Sequence, residues 1–379
     1  MSNTKLSQLH VLRHDKWLIA CLTVIPLLLT LMIWWIFSQS IVRDLPFGVV
    51  AESDSRLSRM LVRELDATST LSVDYSFQSK EQAKEALRRN EIYGYAVIPY
   101  RFEKDIYLGK QPDISVFYNS QYILVGRLIS SAVSSTIGTF NAQVGAVSNL
   151  SSGNRTMQSA LARSVTIRNQ ITPLFNRNTN YSQFLVGAII PAIWQIMMVV
   201  SAVLILAANH RVYGLKGMLS AGTVRSMLSI GSFYLPLFML QGAGFLFLFY
   251  HVLGWPMHGS YQALLFAQLV TVFACLVMGA FFYLLTLDAA RAMSFAGAFT
   301  APSFAFMGVT FPVSDMGALA QWWRSLLPVS HYIEAQIAQS SYGVTNWSTI
   351  ESLSPVLYYF IPFLLLPVLA KKHLAKQEA

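Results

Sequence analysis

Cysteine is almost missing from this chain. Cys21 and Cys275 are the only two in 379 residues, and both lie inside apolar runs. No disulfide framework is indicated, and no Cys/His spacing fits a metal site. Charge is scarce as well. Only 12% of the residues are charged, about half of the roughly 25% usual in a soluble domain. Familiar signatures of chemistry are lacking too. There is no GxxxxGK[ST] phosphate loop, no GxSxG or HExxH, no CxxC and no dinucleotide fingerprint. The chain is not expected to hydrolyse a nucleotide itself.

What stands in place of charge is 54% hydrophobic residues. They gather in runs of roughly 18 to 26, which is membrane-span length. The runs cover 17–37, 185–208, 227–250, 263–287, 292–311 and 353–370. They predict a polytopic α-helical membrane protein with six transmembrane helices. Part of the net charge of +9 then belongs to ends facing anionic lipid, and it is not read as a nucleic-acid surface. Basic residues mark 1–16, 209–225 and the 371–379 tail, and a tight charged turn follows the fourth run at Asp288-Ala289-Ala290-Arg291. The positive-inside rule makes these pieces cytosolic. The first run, with its flank to residue 42, is too long for the core of a signal peptide and is expected to remain as an anchor. Ahead of it, Leu6, Leu9 and Leu12 are three apart. That fits a short amphipathic helix on the cytosolic surface, with a plain basic flank as the other reading.

Residues 43–183 are polar, carry both charge signs and hold no membrane-length run. They predict an inserted extracytoplasmic domain. Strands are expected at 45–51, 71–77, 92–98 and 114–118, and helices at 56–65, 80–89 and 102–108. Ser79 and Gln82 are spaced as a capping box. The alternation implies a small α/β sheet with crossover helices. Ile129, Val133, Ile137, Phe140, Val144 and Val147 then form a seam on a helix of some thirty residues, about 45 Å long. The seam packs on the sheet or on a second protomer. A return helix at 156–169 completes a long helical hairpin.

Residues 184–370 hold the remaining spans, with a cytosolic loop at 209–226 and a segment at 313–343 that is too polar to span. That segment is expected on the outer face or as a re-entrant piece. His251 and His258 end the third span and read as interfacial residues. The spans carry almost no charge, whereas proton- or sodium-coupled carriers usually need a buried acid. Energy for uphill movement would therefore come from outside the chain. Uncharged spans rich in Met and aromatics favour amphipathic, lipid-like or drug-like cargo over ions. Trp194, Met197, Met198, Met239 and Phe304 are candidates to line its path, with ordinary packing as the competing account. The rival class is a non-transporting receptor or scaffold whose outer domain binds a partner. Five closely spaced C-terminal spans exceed what that class needs.

Several stretches together carry a family resemblance. They are Asp44-Leu45-Pro46-Phe47-Gly48-Val49-Val50 with residues 55–63, then Tyr93-Gly94-Tyr95-Ala96-Val97-Ile98-Pro99 followed by Phe102. Phe117-Tyr118-Asn119, Leu174-Phe175-Asn176, residues 308–316 (GVTFPVSDM) and Leu327-Pro328-Val329-Ser330-His331-Tyr332 continue the series. In this order, the chain resembles the membrane subunit of an ABC-2 type ATP-binding-cassette exporter, in the branch with a large extracytoplasmic domain after the first span. The resemblance implies a permease of the bacterial inner membrane that is not itself an enzyme. It implies a dimer, homomeric or heteromeric, driven by cytosolic ATPase subunits that bind ATP and Mg. Some relatives add a periplasmic adaptor protein. The loop after the second span resembles the family's ATPase-coupling region, which assigns that role to Arg211, Tyr213, Gly214, Lys216, Gly222, Thr223 and Arg225. Relatives usually carry an acidic residue there; here Gly222-Thr223 is kept and 209–216 has no acid.

Overall fold

The computed structural model of the chain describes residues 7–38, 43–108, 110–119, 122–151, 176 and 180–378. Two units are separable: Met1–Ser40 with Pro173–Ala379, and Ile41–Thr172. The first begins with α1 (Gln8–His14), α2 (Lys16–Leu22) and α3 (Val24–Ile36). Asp15 accepts a hydrogen bond from the Leu18 backbone and so caps α2. Pro26 lacks the N–H that would reach the Leu22 carbonyl. Gln241 of a later helix supplies the missing donor, its Nε2 lying 2.7 Å from that oxygen.

The second unit holds β1 (Leu45–Ala51), α4 (Arg56–Asp66), β2 (Leu71–Phe77), α5 (Lys80–Arg88), β3 (Gly94–Ile98), α6 (Phe102–Tyr107), β4 (Ser115–Tyr118) and α7 (Ile123–Ser151). The sheet order is β2-β1-β3-β4. β1 runs parallel to β2 and β3, whereas β4 is antiparallel to β3. The expected all-crossover sheet is corrected at this last strand. α6 is only about 9 Å long against roughly 16 Å for β3, so the chain does not return along the sheet before β4 begins. Leu61 and Leu65 of α4 share one core with Ile129, Val133 and Phe140 of α7. Ala83 and Ala86 of α5 pack against Val50, Tyr95 and Val97 in another. The α7 seam therefore packs on its own unit's core rather than standing free for a second copy. The Ser79 cap bonds the Gln82 N–H at 3.3 Å, while Gln82 reaches back to Gln78 rather than to Ser79. The return helix expected at 156–169 lies outside the described residues, as do Leu6, Leu174 and Phe175.

The first unit resumes with α8 (Tyr181–Met218) and α9 (Thr223–Phe247), which is extended by a wide turn at Leu248–Val252. α10 (Tyr261–Thr286), α11 (Ala289–Thr300), α12 (Ala318–Ser325), α13 (Pro328–Ile337), α14 (Asn346–Ser352) and α15 (Phe360–Glu378) follow. Among the described residues, five helical stretches are long and apolar enough to cross a membrane: Lys16–Ile36, Tyr181–Met218, Thr223–Val252, Tyr261–Thr286 and Ser354–Gln377. The fifth expected span, 292–311, is not one helix. α11 is 12 residues long, and a single turn at Ser303–Phe306 follows it. Pro302 at the break has no N–H to continue the ladder. Asp288 caps α11 by accepting the Arg291 N–H at 2.8 Å. The segment at 313–343 packs into the bundle through α13. Eight residues of α13 are buried, Tyr332 fully.

α8 and α10 cross closely. A Cβ on Gly279 would meet the Val199 carbonyl at 2.8 Å, so only glycine fits at this contact. α13 is tied to α8 by a second substitution for a proline donor. Pro191 leaves the Gly187 carbonyl without its intrahelical partner, and Gln336 Nε2 donates to it at 2.8 Å. Gln336→Leu is expected to cost about 1 kcal/mol of stability, read as a lower thermal midpoint in detergent. In a Pro191→Ala background, where the helix regains its own N–H, the same change should cost almost nothing.

Candidate functional site

The stretch expected as a cytosolic loop is mostly helix. α8 continues through Asn209, Arg211 and Tyr213, breaks at Gly214 (φ 66°, ψ 169°) and makes one further turn to Met218. Only 219–222 separate it from α9, and Gly222 turns the chain with φ 90°. Both conformations are costly for a residue with a Cβ. Asn209, Leu215 and Met218 are buried; Arg211, Lys216 and Arg225 are exposed. The hairpin is thus a built element, not a connector.

α1 is part of it. Gln8 and Asn209 form a reciprocal amide pair, Nε2 to Oδ1 at 2.9 Å and Nδ2 to Oε1 at 3.1 Å. The Tyr234 hydroxyl of α9 donates to the same Gln8 oxygen at 3.2 Å. Nearer the surface, Tyr213 OH accepts from the Ser7 N–H at 3.0 Å and bonds the Ser7 carbonyl at 3.2 Å. Arg211 pairs with Asp15. His210 meets the Tyr283 hydroxyl of α10 at 2.7 Å. These contacts decide which face of α1 is buried. Gln8 and Val11 point inward, and Gln8 finds an amide partner there, while Leu9 is 61% exposed on another face.

The seven coupling candidates therefore cluster at one end of the α8–α9 hairpin. Arg211 and Tyr213 face α1. Gly214 and Gly222 shape the backbone. Lys216, Thr223 and Arg225 lie along the rim. Sequence reasoning missed the partners that hold this end: Asp15 for Arg211, Ser7 for Tyr213, Gln8 with Tyr234 for Asn209, and Tyr283 for His210. A signal existed in Gln8, a polar residue three positions before Val11 in a short helix.

The five path candidates do not converge. Trp194 is buried, with its ring edge-on to Phe245 at 5.4 Å and to Tyr332 at 5.8 Å. Met198 belongs to the same core and Met239 packs against it. Met197 is buried, and Phe304 sits apart on the isolated turn, 37% exposed. None of the five lines the cavities of about 650 and 360 Å³ in this unit.

Five apolar helices of spanning length define a multi-pass membrane protein. A family model described as ABC-2 family transporter protein matches residues 16–369, and the chain belongs to that family. It is a membrane permease component of a transporter rather than a catalytic enzyme. Among curated proteins none matches the chain.

The buried amide pair should outweigh the ion pair in holding α1. Gln8→Leu and Asn209→Leu are each expected to cost about 1–3 kcal/mol by stranding a buried partner. The double variant should cost clearly less than their sum. Arg211→Ala, at an exposed pair, should cost less than about 1 kcal/mol. Thermal unfolding of the four proteins in one detergent measures all of this.

Proposed function

We propose that this permease exports an amphipathic, lipid-like or drug-like substrate from the cytosol or inner leaflet. The energy comes from ATP hydrolysed on a separate ATPase subunit. The observation that carries this is the hairpin end of α8 and α9, locked to α1 by buried amides and presenting Arg211, Lys216 and Arg225 outward. A push on such an end moves α8 and α9 together instead of bending a loop. The chain has no nucleotide motif of its own, so ATP and Mg belong to the partner. The basic residues of this end and of the 371–379 tail favour a cytosolic position in a bacterial inner membrane. The α/β unit then lies outside, open to an adaptor.

Residues 209–225 carry no acid, so the docking groove of the ATPase is expected to be acidic. A second permease copy, identical or paralogous, would complete the substrate path. Pro191 and Pro236 mark the places where α8 and α9 can bend.

The full-length chain, extracted from its native membrane, should bring an ATP-hydrolysing subunit with it. Gly222→Val forces a branched side chain onto a positive φ, at about 1–3 kcal/mol. It should lower substrate-stimulated ATP hydrolysis of the complex roughly tenfold. Absence of an ATPase subunit, or an unaffected variant, would defeat this reading.

A further inference from the structure

The larger cavity, about 650 Å³, opens between α8, α9, α10 and α15 with the turn that precedes it. Both helices of the hairpin line it, α8 with Ala202 and Leu206 and α9 with Leu228 and Gly231. Among the described residues that line it, only Ser232 and Tyr234 are polar. Both hydroxyls are engaged elsewhere, Ser232 with the Ser229 carbonyl and Tyr234 with Gln8. The walls thus offer nothing to water, which needs two or more polar partners. The helices around it are of membrane-spanning length, and Leu228, Leu357 and Phe360 at its walls are exposed. The medium at its mouth is therefore hydrocarbon.

Length and charge narrow the occupant. From Arg225 to Leu235 α9 rises about 15 Å, which is half of the roughly 30 Å hydrocarbon core. One acyl chain of one leaflet has that reach. Arg225 precedes the lining residues Leu228 and Ser232 by three and seven positions, so it shares their helix face. It is exposed at the basic end.

We propose that this cavity is a resident site for one phospholipid of the adjoining leaflet, with an acyl chain between α8 and α9 and an anionic headgroup against Arg225. The lipid then backs the hairpin as a wedge, next to the Tyr234 that holds α1. The inference rests on the membrane location of these helices and not on ATP-driven export.

The full-length chain is extracted in mild detergent and its bound lipid counted by native mass spectrometry. Wild type should retain about one phospholipid per chain, as expected of a single groove of this size. In Gly231→Phe, where the added side chain starts 3.7 Å from Leu276 and fills the cavity, retention should be largely lost. Arg225→Gln should keep the acyl site but reduce the preference for phosphatidylglycerol over phosphatidylcholine roughly fivefold. A second measurement does not depend on that filled variant. In micelles with acyl-brominated phosphatidylglycerol at near-equimolar lipid, a Trp at lining Phe273 should be quenched. A Trp at Leu240, exposed outside the cavity, should not. Wild type without phospholipid, a monodisperse Gly231→Phe that retains as much as wild type, or equal quenching at both positions would overturn the proposal. So would a non-phospholipid amphipath occupying the site.

Discussion

Glutamine amides standing in for missing backbone donors hold this bundle together. Inside a bilayer, a carbonyl released by proline has no water to turn to, and the chain carries almost no charge there to offer. Gln241 supplies the donor for Leu22 opposite Pro26, and Gln336 supplies it for Gly187 opposite Pro191. Gln195 accepts from the Val329 N–H at the start of α13 and donates to Ser303 at the broken end of α11, both at 2.8 Å. Gln268 donates to Tyr332 and Gln339 to Thr349. The nitrogen does most of this bonding. The oxygens of Gln241, Gln268 and Gln336 have no partner among the described residues; for Gln241 and Gln336 the proline-freed carbonyl calls on the donor alone.

The same constraint explains why the helices are interrupted yet ordered. α11 ends ahead of Pro302, and Ser303 beyond the break is anchored to Gln195; the first N–H of α13 reaches the same side chain. At the hairpin end, the amide pair of Gln8 and Asn209 performs this service between α1 and α8. Its burial makes it worth more than the exposed Arg211–Asp15 pair. On the proposed reading, force applied to the hairpin would reach α8 and α9 together with α1. The bend at Pro191 would be latched by Gln336 rather than free.

Much of this was legible in the residues. Hydropathy averaged over twenty positions locates four of the later spans' helices and the first, because membrane length leaves few alternatives. The strand at Leu45–Ala51 and the helix at Lys80–Arg88 followed from local alternation and the Ser79 cap. What was not legible depends on distant partners. Nothing near Ser303 announces Gln195, 108 residues away. Gln8 finds its partner, Asn209, 201 residues away. Trp194 and Met198 had the chemistry of a substrate lining, and only three-dimensional packing places them in the core. The coupling candidates clustered as expected because they are neighbours in sequence. The residues that hold them lie elsewhere in the chain.

The central claim is that α1 and the hairpin behave as one body. It is tested most directly by the distance between spin labels at Leu9 and Val212, both exposed, in the full complex in lipid nanodiscs. A narrow distribution that stays put when ATP is added is the predicted result. A broad distribution, or one that shifts with nucleotide, would show that α1 is not held by its amides and would contradict the account.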